Sequence, residues 1–170
     1  MSKKYCGYVS IIGKPNVGKS TIINAILKKK VSITSRKSQT TRNNILGIKT
    51  TENKQAIFID TPGLHIKSQK TMNKILNKSA QSIIEDSDIV LFVVQRLSIT
   101  EEDHAILSKL KETNPFSICV INKIDQISDK QRLLPFIEKI SDEYNFASII
   151  PISAKTNQNL QDLINKIEEH

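Results

Sequence analysis

The stretch GKPNVGKS, Gly13 to Ser20, lies between a strand-like run, YVSIIG, and a helical one, KSTIINAILKKK. It satisfies the spacing G-x-x-x-x-G-K-[ST], which few folds can accommodate in that context. The glycines let backbone N–H groups close around phosphate oxygens, and the N-terminus of the following helix adds positive potential. In such a loop Lys19 reaches the β- and γ-phosphates of a nucleotide, and the Ser20 hydroxyl ligates Mg2+. A glycine-rich turn without a ligand is the alternative, and the strand–loop–helix context argues against it.

Short apolar runs alternate with helical patterns along the rest of the chain. After the loop, Ile22, Ile23, Ile26 and Leu27 fall at helix-face spacing. VSITSRKSQTTRNN shows neither period, and ILGIKT and QAIFID, split by a short polar turn, read as an antiparallel pair. KTMNKILNKSAQSIIED predicts a helix, and DIVLFVV a strand buried on both faces. TEEDHAILSKLKET opens with a Thr cap followed by acids, as a helix N-terminus does. FSICVIN predicts another buried strand, and KQRLLPFIEKIS a helix that Pro135 kinks or delays. SIIPIS is the last strand, and NLQDLINKIEE the last helix, with Leu160, Leu163, Ile164 and Ile167 on one stripe. The order βα, ββ, then βα repeated predicts an α/β fold. Its sheet is six-stranded and mostly parallel, with one antiparallel edge strand and helices on both faces. Ligands in such sheets bind beyond the C-terminal ends of the strands at the switch point, which is where the motifs fall.

The 170 residues suit a single domain over 1–170, with 38% hydrophobic and 25% charged residues as in soluble globular proteins. No apolar run approaches the ~18 residues that span a bilayer. The N-terminus, MSKKYCGYVSII, lacks the apolar core and cleavage site of a signal peptide. Cys6 and Cys119 are isolated, without metal-ligand spacing, and Cys119 inside SICVIN reads as a core residue. These features predict a cytoplasmic protein. The net charge of +8 suits an acidic partner such as RNA, but the lysines are spread through the chain as on a solvated surface.

Asp60 ends the run AIFI, the position from which a carboxylate holds Mg2+, usually through a water. Thr61, Pro62 and Gly63 then supply a turn that brings the Gly63 amide towards a γ-phosphate. In the best-known nucleotide switches a glutamine follows this glycine and orients the attacking water. Here the residue is Leu64, whose side chain neither donates nor accepts a hydrogen bond. NKID, Asn122 to Asp125, follows a buried strand, and an aspartate there can accept from the ring N–H and exocyclic amine of guanine. Adenine offers no such pair of donors, and would leave a buried carboxylate unpaired. SAK, Ser153 to Lys155, follows the last strand and could close over the same base with a backbone N–H. Each short motif is weak alone; in this order, each after its strand, they reinforce one another. His65 reads as an exposed loop histidine rather than a base, and His104 and His170 as helix-surface residues.

With these motifs in order the chain resembles the Ras-like G domain of the translation-factor class of GTPases. Within that class it resembles the Era family of bacterial ribosome-assembly GTPases. The residues that carry the resemblance are GKPNVGKSTIINAIL, VSITSRKSQTTRNNILGI, IDTPGLH, VINKID and PISAKT, and it covers essentially the whole chain. The second of these is the most specific, because that segment varies greatly among G domains.

The resemblance implies a GTP-binding and GTP-hydrolysing switch in small ribosomal subunit assembly and 16S rRNA maturation, slow without its partner. It implies nucleotide contacts from Gly13, Lys14, Pro15, Asn16, Val17, Gly18, Lys19, Ser20 and Thr21, and from Asp60, Thr61, Pro62, Gly63 and Leu64. Asn122, Lys123, Ile124 and Asp125 with Ser153, Ala154 and Lys155 complete the set. SRKSQTTRNN corresponds to the first switch loop, with Thr41 rather than Thr40 contacting Mg2+ and the γ-phosphate. DTPGLH, on to about Met72, corresponds to the second. Ser20, Thr41 and Asp60 are then the metal ligands, and Lys19, Thr41, Gly63 and Asn16 the catalytic set. Asn16 matches an asparagine that relatives use to ligate K+ beside the phosphates. That cation would offset charge on the transferred phosphoryl, while backbone groups of the first switch hold the water that Leu64 cannot.

The family's C-terminal KH RNA-binding domain has no counterpart before the chain ends at His170, so contact with 16S rRNA and the small subunit is expected mainly through that domain. Peripheral contact with the inner membrane and no stable oligomer are the remaining expectations. Three alternatives stand beside this reading. The first is a nucleotide-binding interaction module with negligible hydrolysis, favoured by Leu64. The second is a P-loop ATPase or kinase, disfavoured by Asp125. The third is a related GTPase of tRNA modification or large-subunit assembly, disfavoured by SITSRKSQTTRNN.

Overall fold

A computed structural model describes residues 3–28, 44–60 and 81–170. The chain runs through β1 (Tyr5–Ile12), α1 (Lys19–Lys28), β2 (Asn44–Thr50), β3 (Lys54–Asp60) and β4 (Ile89–Gln95). It continues through α2 (Glu101–Thr113), β5 (Ser117–Asn122), α3 (Leu133–Glu143), β6 (Ser148–Pro151) and α4 (Leu160–Glu169). Of the helix expected in KTMNKILNKSAQSIIED, residues 81–86 are described, and 81–85 are helical.

The six strands form one sheet in the order β2-β3-β1-β4-β5-β6. Every pairing is parallel except that of the edge strand β2 with β3. This matches the expected sheet. β1 is the switch point, since the chain builds outward from it to β3 on one side and to β4 on the other.

The period-two alternation of strands divides the core into two layers. In β4, Ile89, Leu91 and Val93 face one layer and Val90, Phe92 and Val94 the other. Ile22, Ile23 and Ile26 of α1, with Leu160, Leu163, Ile164 and Ile167 of α4, cover the first face. Ile106, Leu107 and Leu110 of α2, with Phe136 and Ile140 of α3 and Tyr144 just beyond its end, cover the second. Burying each such side chain contributes about 1.5–3 kcal/mol, so the central strands, apolar on both faces, anchor the loops at their ends.

Pro135 does not kink its helix. It is the third residue of α3, in the first turn, where N–H groups have no intrahelical acceptor and a missing one costs nothing. The delay is real: a 3₁₀ turn, Lys130–Arg132, precedes α3. Among the described residues, no helix is long and apolar enough to cross a membrane.

Candidate functional site

Two glycines carry the chain from β1 into α1. Gly13 has φ +148°, and a Cβ there would come within 2.5 Å of the Val93 carbonyl oxygen on neighbouring β4. Gly18 has φ +101°, and its Cβ would meet Asn122 Nδ2 at 2.3 Å. A residue with a side chain fits neither position. The Gly18 carbonyl accepts the Ile22 N–H at 2.9 Å and so starts α1. The first-turn amides of a helix have no intrahelical acceptor, and with the helix dipole they make this end a site for anions.

Between the glycines, Asn16 takes the left-handed conformation at φ 64°, which asparagine tolerates. Its carbonyl accepts from Lys123 Nζ at 2.6 Å. The Lys19 ammonium donates to the carbonyls of Gly13 and Lys14 at 2.7 and 2.9 Å. Lys14 Nζ reaches Asp103 Oδ2 at 2.9 Å and Thr100 Oγ1 at 3.1 Å, at the N-terminus of α2. Val17 is a core residue, so any nucleotide contact it makes is through its main chain. Pro15, Asn16, Ser20 and Thr21 are exposed around the loop.

The loops after β5 and β6 meet the first loop at Asn122, which is 2% exposed. Its Nδ2 donates to the Val17 carbonyl at 2.8 Å, and its Oδ1 accepts the Ala154 N–H at 3.1 Å. Lys123, at φ 64°, also donates to Gln95 Oε1 at 2.6 Å. Asp125 is exposed, and its Oδ1 accepts from the Ser153 hydroxyl at 2.7 Å. Ile124 and Ala154 are buried, and Lys155 is exposed at the rim. The Ala154 N–H, a candidate to close over a base, is thus engaged by Asn122.

Ser20 sits exposed in the first turn of α1, and Asp60 ends β3 opposite Ile11, close to where the loop begins. A serine hydroxyl at the mouth of a phosphate-binding loop suits a hard cation that takes its other ligands from phosphate and water. Among the described residues no group of three His, Cys, Asp or Glu could hold a metal ion by itself. Thr41, Thr61, Pro62, Gly63, Leu64 and His65, and the side chain of Asp60, lie outside the described residues.

Three participants were not anticipated from the sequence: Thr100, Asp103 and Gln95. Asp103 stands three residues after a Thr cap, the position of a capping-box acid, and its N–H acceptor role at Thr100 (2.9 Å) follows from that spacing. Its burial against Lys14 does not.

A strand–loop–helix phosphate site joined through a buried asparagine to an NKID loop defines a P-loop G domain. The family described as 50S ribosome-binding GTPase matches residues 8–123. GTPase Era of Haemophilus ducreyi is 47% identical over 167 residues, covering 96% of this chain and 55% of that protein. A crystal structure of an Aquifex aeolicus Era variant bound to GDP·AlF4− is similar at a TM-score of 0.77 and 39% identity, over 95% of this chain and 56% of that one. A crystal structure of Era in complex with MgGDPNP and nucleotides 1506–1542 of 16S ribosomal RNA gives 0.78 and 38%, over 98% and 56%. The chain belongs to the Era family of GTPases. It spans about half the length of the curated relatives it matches.

Asn122→Ala leaves two buried main-chain groups without partners, at about 1–3 kcal/mol each. Urea unfolding without nucleotide should show a loss of about 2–4 kcal/mol. A loss under about 0.5 kcal/mol would mean that the loops hold together without this amide.

Proposed function

We propose that this chain binds GTP with Mg2+ and hydrolyses it as the switch domain of a small-subunit ribosome-assembly factor. The convergence of the phosphate loop, the NKID loop and the SAK loop on Asn122 is the observation that supports it most. The phosphates seat on the amides between Gly13 and Thr21. Lys19 exchanges two neutral carbonyls for anionic β- and γ-oxygens, a stronger charge-assisted bond. Ser20, Thr41 and Asp60 hold Mg2+, which when bound neutralises charge developing on the transferred phosphoryl. Asp125, oriented by the Ser153 hydroxyl, accepts both guanine donors. Thr41 and the Gly63 amide contact the γ-phosphate and report its loss by releasing their loops.

Leu64 supplies no water-orienting group, so that task passes to the backbone of the first switch, and Asn16 holds K+ against the phosphates. A relative's complex with 16S ribosomal RNA supports ribosomal RNA as the partner, as does the net charge of +8. In the whole protein, RNA contact falls mainly to the part of the relatives beyond the matched half. The second reading, a nucleotide-binding module with negligible hydrolysis, is favoured only by Leu64.

Asp125→Asn should weaken GTP binding at least about a hundredfold, since two hydrogen bonds to a charged group contribute ~1.5–3 kcal/mol each. It should favour xanthosine triphosphate, whose edge presents the reversed pattern. Unchanged GTP affinity would remove Asp125 from the base site. Phosphate release from GTP should be faster in potassium than in sodium, and Asn16→Gly should abolish the difference. Glycine is the better probe because Asn16 sits at φ 64°, where alanine would add backbone strain. Equal stimulation of the variant and the parent would place K+ elsewhere.

A further inference from the structure

Lys14 is the second residue of the phosphate-binding loop, yet its ammonium is committed to α2. It lies 2.9 Å from Asp103 Oδ2 and donates to Thr100 Oγ1 at 3.1 Å, 89 and 86 residues further along the chain. Asp103 is fully buried. Its Oδ2 also accepts from the Thr100 N–H at 2.9 Å and the Thr100 hydroxyl at 2.8 Å, while its Oδ1 is buried with no hydrogen-bond partner. A half-satisfied buried carboxylate is costly. Serving the helix dipole does not require that burial, since Glu101 and Glu102 stand in the same first turn with no such constraint. The negative charge is felt nearby: burial pushes the Cys119 thiol up, and Asp103 pushes it further.

The carboxylate's distinctive contact is therefore with Lys14, and Lys14 leads back to the site. The carbonyls of Gly13 and Lys14 are acceptors for Lys19 Nζ, at 2.7 and 2.9 Å. A continuous path runs from Asp103 through the Lys14 side chain and the Lys14 carbonyl to the Lys19 ammonium.

We infer that Asp103 is a positioning residue for the phosphate-binding loop: through Lys14 it fixes the Gly13–Lys14 carbonyls and hence the resting place of the Lys19 ammonium. The inference rests on the reading of this loop as a nucleotide site. The coupling is reciprocal, so a phosphate group that draws Lys19 off those carbonyls also acts on the Lys14–Asp103 pair and on the start of α2.

The test is a double-mutant cycle of Asp103→Asn, Lys14→Gln and the two together. It is read as the dissociation rate of the fluorescent nucleotide mant-GDP, with the melting temperature of each nucleotide-free protein alongside. Asparagine keeps an acceptor for the Thr100 N–H, and the double variant replaces an ion pair by an amide pair. Each single change should speed release about tenfold, and the double should return to within about threefold of the parent. Lower melting temperatures with parental release rates in both single variants would overturn the inference, because the pair would then be structural only. Release rates that multiply in the double variant would overturn it too. If Asp103→Asn does not fold, Lys14→Arg decides. Slow release from the arginine variant and fast release from Lys14→Gln support the inference, and equally fast release from both overturns it. Failure of the parent to bind mant-GDP at all would instead refute the nucleotide-site reading beneath it.

Discussion

Asn122 uses both ends of its side-chain amide on main chain, Nδ2 on the Val17 carbonyl and Oδ1 on the Ala154 N–H. Those contacts cross 105 and 32 residues of sequence and join the loops that follow β1, β5 and β6. Each bond is worth only about 1 kcal/mol net, but a buried amide has no second way to satisfy its partners. The rest of the site inherits its geometry from that constraint. Gly18 must be glycine because Asn122 Nδ2 occupies the space of a Cβ. Lys123 follows Asn122 directly, and from a left-handed conformation reaches the Asn16 carbonyl on the same loop.

Three lysines of the motifs therefore act on protein groups. Lys123 holds the middle of the phosphate loop and Lys14 holds its beginning. Lys19, in the first turn of α1, donates to the Gly13 and Lys14 carbonyls and stands where the spacing puts the phosphate-binding lysine. Left-handed backbone at Asn16 and Lys123 costs of order 1 kcal/mol or more apiece. That strain is sustained because the sheet beneath is rigid, with β4 and β5 apolar on both faces.

Much of this was legible in the sequence, for physical reasons. DIVLFVV and FSICVIN are apolar without a break because both faces of the central strands are covered, and the apolar stripe of the last helix repeats at helical spacing, so both patterns survive translation into structure. The motif loops were placed because each follows its own strand. What stayed hidden is what periodicity does not encode. Asp103 looked like one more acid in a helix's first turn, and only tertiary packing brings it onto Lys14. Gln95 ends an apolar run and carries no motif, yet it shares Lys123 with the loop. Val17 and Ile124 lie inside motifs but serve the core, because a loop this tight must turn some side chains inward. Pro135 interrupts the helical pattern of KQRLLPFIEKIS as a string of residues, whereas its effect depends on standing in the first turn.

The central claim is that loops joined through Asn122 form one site selective for guanine nucleotides. Equilibrium titration of the chain with GDP, GTP and ATP in Mg2+ tests it most directly. The account predicts one-to-one binding of GDP and GTP, with ATP weaker by roughly a thousandfold or more, because an adenine edge leaves the Asp125 carboxylate without its two donors. ATP binding as tight as GTP binding would contradict it.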